Sequence, residues 1–132
     1  MPDFYGSAFS DNYRMARSKP LSGVVAAGSY NLIRVPKFAF VNGVWVLVET
    51  ACSATDVTVG WLGNGEAAQV AGFLSADVAD VGVVGLKAAV KDSLVSFPGK
   101  YFSGGTGSIS VTLGTAWTVG KLTVFAQYSV IH

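Results

Sequence analysis

Charge is scarce in this sequence. Nine Lys and Arg and eight Asp and Glu bring the charged share to 13%, about half of the ~25% of an ordinary soluble domain. The formal net charge of +1 gives no long-range pull toward nucleic acid or anionic lipid, so neither nucleic acid nor a membrane is expected as a partner. Histidine and cysteine are nearly missing too. One Cys at position 52 and one His at position 132 supply neither an internal disulfide nor a zinc set of three or four ligands. A base on the last residue is not held against a nucleophile, so no Ser-His-Asp or Cys-His site is expected. No enzyme activity, metal or cofactor is expected. Uninterrupted apolar runs of about 18 residues, the mark of a helical membrane span, do not occur, because Gly, Asn, Asp or Lys breaks the longest ones. The first twenty residues hold Asp3, Asp11, Arg14, Arg17 and Lys19 and lack the apolar stretch of about 7–15 residues found in a secretory signal. That predicts a protein kept in the cytoplasm that makes it, or released by lysis.

What is present is apolar: 51% hydrophobic and 12% aromatic residues in a 13.7 kDa chain. The length suits one domain with a real core. A charge-poor, aromatic surface is the composition of faces covered by other subunits, and that is the reading preferred here. A monomer whose β surface is rich in Ser, Thr and Gly has few charges as well.

Residues 1–22 differ from the rest. They carry Phe4, Tyr5, Phe9 and Tyr13 with the bases Arg14, Arg17 and Lys19, and show neither strand alternation nor turn punctuation. Aromatic side chains are costly to leave in water, so this segment is read as an extended N-terminal arm that lies across a neighbouring subunit. A disordered terminus or a short helix over the chain's own core is the other reading.

Residues 23–132 read as strand, turn, strand. Candidate strands are 29–35, ended by Pro36, 38–41 and 44–50, 56–62, 86–90, 93–97, 100–103, 108–113 and 121–131. Asn42-Gly43 is a strong hairpin signal; a second reading makes 44–50 part of one long central strand with Asn42-Gly43 as a bulge. Residues 66–84 are ambiguous: Ala67, Ala68, Val70 and Ala71 could form a helical turn, while Gly72, Gly82 and Gly85 break anything longer, so the segment is read as a long excursion with one short helix. Strand 121–131 has apolar or aromatic residues on both faces, which predicts a central strand or a subunit contact. Six to eight strands with turns every ~8–12 residues predict an all-β fold, a single-domain β-sandwich or jelly roll.

Three constellations resemble sites. Asp77 and Asp80 form an acid pair of the kind a glycosidase uses, and with nearby carbonyls they suggest a weak calcium site that lacks the dense acidic loop. Gly104-Gly105-Thr106-Gly107 looks like a phosphate loop, but a strand follows it rather than Lys-Ser/Thr and a helix. Trp61 and Trp117 adjoin glycine turns and are candidates for exposed aromatics that stack on sugar, whereas Trp45 sits in an apolar run and is expected in the core. Cys52 is read as a small buried hydrophobe.

The motifs Ala27-Gly28-Ser29, Thr58-Val59-Gly60, Ala71-Gly72-Phe73-Leu74, Lys100-Tyr101-Phe102, Ser108-Ile109-Ser110-Val111-Thr112 and the closing run from Gly120-Lys121 to Tyr128 together resemble small virion proteins of tailed bacteriophages. The resemblance is to the capsid cement or decoration type and spans residues 26–128. It implies a β-sandwich subunit on the outer capsid surface of the virion, homotrimeric, with the major capsid protein as partner and no catalytic site. Residues 1–22 have no counterpart in the pattern. A tail, fibre or head-closure component, or a carbohydrate-binding module, are the alternatives.

Overall fold

The computed structural model describes residues 13–62, 68–90, 99–103 and 106–130. Among these residues ten strands and one short helix follow in order: β1 Tyr13–Arg17, β2 Leu21–Ser22, β3 Gly28–Val35, β4 Ala39–Thr50, β5 Val57–Trp61, β6 Gln69–Leu74, α1 Ala76–Ala79, β7 Gly85–Val90, β8 Lys100–Tyr101, β9 Gly107–Leu113 and β10 Lys121–Val130. They build two antiparallel sheets. In the first, β10 and β4 form the centre; β1 and β2 share the free side of β10, and β7 and β8 share the free side of β4. The second runs β3-β9-β5-β6. The fold is therefore all-β, in one domain, as the alternation in the sequence predicts.

Period-two patterning decides which side of each strand is buried. Val57 and Val59 of β5, Ile109, Val111 and Leu113 of β9, and Ile33 and Val35 of β3 face Val44, Val46 and Val48 of β4 and Leu122, Val124 and Ala126 of β10, all in one buried cluster. β-branched residues dominate it, which suits stiff side chains on a pleated surface.

β4 decides between the two readings of Asn42-Gly43. The strand is continuous, and its register on β10 jumps from Gly43↔Gln127 to Val41↔Tyr128, leaving Asn42 as the extra residue of a bulge. An inserted residue inverts the facing of everything beyond it. Ala39 and Val41 point inward before the bulge and Val44, Val46 and Val48 after it, so Trp45 and Leu47 are turned outward. The core position expected for Trp45 is corrected accordingly.

One further expectation is corrected in part. The helical turn expected around Ala68, Val70 and Ala71 gives way to β6, whose Phe73 and Leu74 are buried in the core, and the short helix of this excursion is α1, the only one among the described residues, stopped by Asp80 at φ 44°. In the segment before residue 23, β1 and β2 pair with β10 in the first sheet. Ser18 joins them: its N–H donates to the Val124 carbonyl (2.8 Å) and its hydroxyl accepts from the Val124 N–H (3.0 Å), so one residue keeps the edge ladder where Pro20 has no N–H to give. The strand expected at residues 93–97 lies outside the described residues.

Candidate assembly surface

Antiparallel sheets with one solvated face normally carry polar residues there. The outer face of the first sheet does not. Register places Arg17, Phe125, Trp45 and Ala88 in one row across β1, β10, β4 and β7, with Thr123, Leu47 and Leu86 in the next. Met15, Trp45, Leu47, Leu86 and Phe125 line a shallow apolar depression of about 380 Å³. Met15 and Leu86, from strands on opposite edges, are 61% and 60% exposed. Five large apolar side chains from four strands thus form one continuous patch rather than scattered single residues, and such patches mark interaction sites.

The patch has a built floor. Gly43 is buried although it faces outward, because the Trp45 ring lies over it; an added Cβ would fall 2.5 Å from Cη2 of that ring. The Arg17 guanidinium sits 5.8 Å from the centre of the Phe125 ring, a cation–π contact, and has no carboxylate beside it among the described residues. At the same end Lys121 pairs with Glu49 at 3.3 Å, both about two-fifths exposed, a pair of little energetic consequence.

The other residues singled out from the sequence fall in different places. Phe4, Tyr5 and Phe9 lie outside the described residues. Tyr13 opens β1 opposite Ser129; Arg14 and Lys19 are exposed, and Arg14 alternates with Arg17, so only Arg17 of the three bases borders the patch. Trp61 is half-buried, edge-on to Phe73 (5.1 Å) and Phe102 (6.3 Å), with the Lys100 ammonium 4.7 Å from its ring. The ammonium lies over one face of the indole, the kind of surface a sugar would stack on. Trp117 is fully buried, and the expectation that it is exposed is corrected: Val25 and Trp117 exchange two backbone hydrogen bonds (3.2 and 2.8 Å), and the indole lies in the core cluster. A second depression, about 480 Å³, is rimmed by Asn31, Arg34, Thr106 and Ser108, where the Ser108 hydroxyl donates to the Asn31 side-chain oxygen.

Asp77 and Asp80 are both exposed at α1 rather than gathered in a cleft. Among the described residues no group of three or more His, Cys, Asp and Glu is placed to hold a metal ion, and no helix is long and apolar enough to cross a membrane. Cys52 is buried at 6% exposure. Burial pushes its thiol above the ordinary range, only partly offset by a backbone hydrogen bond at Lys121 and the charge of Lys87. A thiol held neutral and covered is a poor nucleophile. Cys52 is therefore expected to resist a disulfide-exchange reagent at pH 7.5 and to react at once in denaturant; full reaction in the folded protein within minutes would contradict this packing.

No protein-family model and no curated protein matches the chain. Solved structures do. One chain in the capsid asymmetric unit of cyanophage Pam1 aligns with a TM-score of 0.64 at 17% identity, over 91% of this chain and 86% of that one. A chain in the capsid of Ralstonia phage GP4 gives 0.63 at 14%, over 92% and 86%. A chain in the acidic stable capsid of Helicobacter pylori bacteriophage KHP30 gives 0.57 at 17%, over 89% and 93%. The paired shares are nearly equal in each case, so the matched chains are close to this one in length. At such identities the likeness is one of fold: this two-sheet, all-β domain has the architecture of small chains found in phage capsids.

Proposed function

We propose that this protein is a structural component of a phage virion, a cement or decoration protein that binds the outer surface of the head as a homotrimer and stabilises the shell. The whole-chain fold likeness to capsid chains of matching length is the observation that carries this reading. The apolar outer face of the first sheet supports it. A cement subunit acts by covering apolar surface and making hydrogen bonds across neighbouring subunits of the major capsid protein, which requires adhesive faces and no active site. Three copies present each contact three times, so weak individual contacts add to firm attachment. Phe4, Tyr5, Phe9 and Tyr13, with Arg14, Arg17 and Lys19, are the contact residues of this proposal.

The test is binding to empty phage heads assembled without the protein. Co-sedimentation should saturate at a copy number comparable to that of the shell subunit, and the loaded heads should rupture at a higher temperature than bare ones. Phe4→Ser, Tyr5→Ser and Phe9→Ser together should weaken binding at least tenfold without lowering the melting temperature of the free protein. Saturation at a handful of copies per head would reassign the protein to a connector or fibre, and no binding would reject the reading.

A further inference from the structure

The apolar depression on the first sheet needs a cover, and the chain itself contains a matching one. We infer that the depression formed by Met15, Trp45, Leu47, Leu86 and Phe125 receives the N-terminal segment, residues 1–12, of a second copy of this chain. The inference rests on the reading of the protein as self-assembling and specifies the contact by which it does so.

Composition matches first. Residues 1–12 include Phe4, Tyr5 and Phe9, and their only charged side chains are Asp3 and Asp11. The depression is lined by apolar side chains and bordered by Arg17, which lies over the Phe125 ring with no carboxylate beside it among the described residues. An acid next to an aromatic pair, Asp3-Phe4-Tyr5, complements a base next to an aromatic ring. The desolvated aromatics supply the attraction and the charge pair sets the register.

Chain direction then selects a neighbouring copy. β1 runs from Tyr13 opposite Ser129 to Arg17 opposite Phe125, so the chain comes into the sheet at the Ser129 end and proceeds toward the depression. From that direction of β1, a segment before Tyr13 could reach the depression of its own copy only if the chain reversed at the Ser129 end of the sheet. Twelve extended residues reach about 40 Å, against a radius of gyration near 14 Å for a domain of this size. That is enough to lie on an adjacent subunit. A contact of one surface with a different surface of the next copy is head-to-tail, and it closes into a ring when three copies are related by a threefold axis.

A double variant, Phe4→Cys with Leu86→Cys, reads this directly and needs no capsid. Leu86 is an exposed rim residue, and Cys52 is buried away from the oxidant. Mild oxidation of the full chain at low micromolar concentration should give covalent species larger than one chain on a non-reducing gel, ending in a closed trimer. Either single variant should give only collisional dimers that fade on dilution. A product that stays at one-chain mass overturns the inference, whether by an internal disulfide, which would place the segment on its own copy, or with both thiols free. A covalent dimer as the end product keeps the exchange of segments but removes the threefold arrangement from the proposed function. Covalent trimers from a protein that ignores phage heads would keep the inference and reject the cement role.

Discussion

Trp117→Ala should lower the unfolding free energy by roughly 3–5 kcal/mol, the usual cost of emptying a large buried aromatic site. Total stability of a single domain is only about 5–15 kcal/mol, so this variant should sit near the edge of folding. Trp117 is the largest side chain of the core and is fully buried. Its loop is tied back by the Val25 backbone pair, so little of the surrounding chain is free to collapse into the space. Trp117→Phe separates packing from polarity. The Trp117 indole Nε1 is buried with no hydrogen-bond partner among the described residues, and an unpaired buried donor costs about 1–3 kcal/mol. Phe keeps one ring and removes that donor, so it should cost far less than Ala, about 1 kcal/mol. Urea titrations check both: the midpoints should shift with an unchanged slope. Equal losses for Phe and Ala would mean that the indole N–H is satisfied and the volume argument incomplete.

The frame of the sandwich was legible where strict alternation coincided with turn residues. β3, β5, β9 and β10 lie within two residues of the segments read from period-two patterning, and β10 is central, as its two apolar faces imply. β4 shows what one residue changes. The Asn42-Gly43 pair was visible, but a hairpin and a bulge use the same residues, and only the bulge turns Trp45 and Leu47 out of the core. Counting the bulge as one insertion would have located the outer apolar patch from the sequence. β1 was not legible because, among its described side chains Arg14 to Arg17, only Ala16 packs against the core; the strand is specified by pairing with β10 rather than by its own pattern. β6 was hidden by Ala71, Gly72 and the alanine before it, Ala68, which read as helix or break, while its place is fixed by Phe73 and Leu74 in the core. Trp117 was misplaced because neighbouring glycines mark a turn without telling which way the turn folds.

That distinction between pattern and contact also separates two glycines that look alike in the sequence. Gly60→Ala should destabilise the protein by about 3 kcal/mol or more, at or above the top of the usual range for overpacking. A Cβ at Gly60 would run into the backbone of β6, meeting the Gln69 carbonyl oxygen and, at 2.6 Å, the Val70 carbonyl carbon. Backbone has no rotamer to yield, and β6 is already shifted in register on β5 between Val59 and Trp61. Relief therefore means opening the β5-β6 pair and lifting Phe73 from the core. At Gly43 the nearest obstacles are atoms of the Trp45 ring, a side chain on an open face that can swing away. Gly43→Ala should be within about 1 kcal/mol of wild type, because the added methyl also removes freedom from the unfolded chain. Its effect should appear in assembly, since the displaced indole disturbs the depression that holds the neighbouring segment: Gly43→Ala added to the Phe4→Cys, Leu86→Cys pair should reduce trimer cross-linking while the urea midpoint barely moves. Hydrogen exchange supplies the check on Gly60→Ala, with protection lost first at Val70 and Leu74 if β6 is the element that gives way. Uniform loss over both sheets would show instead that β6 cannot open separately from the core.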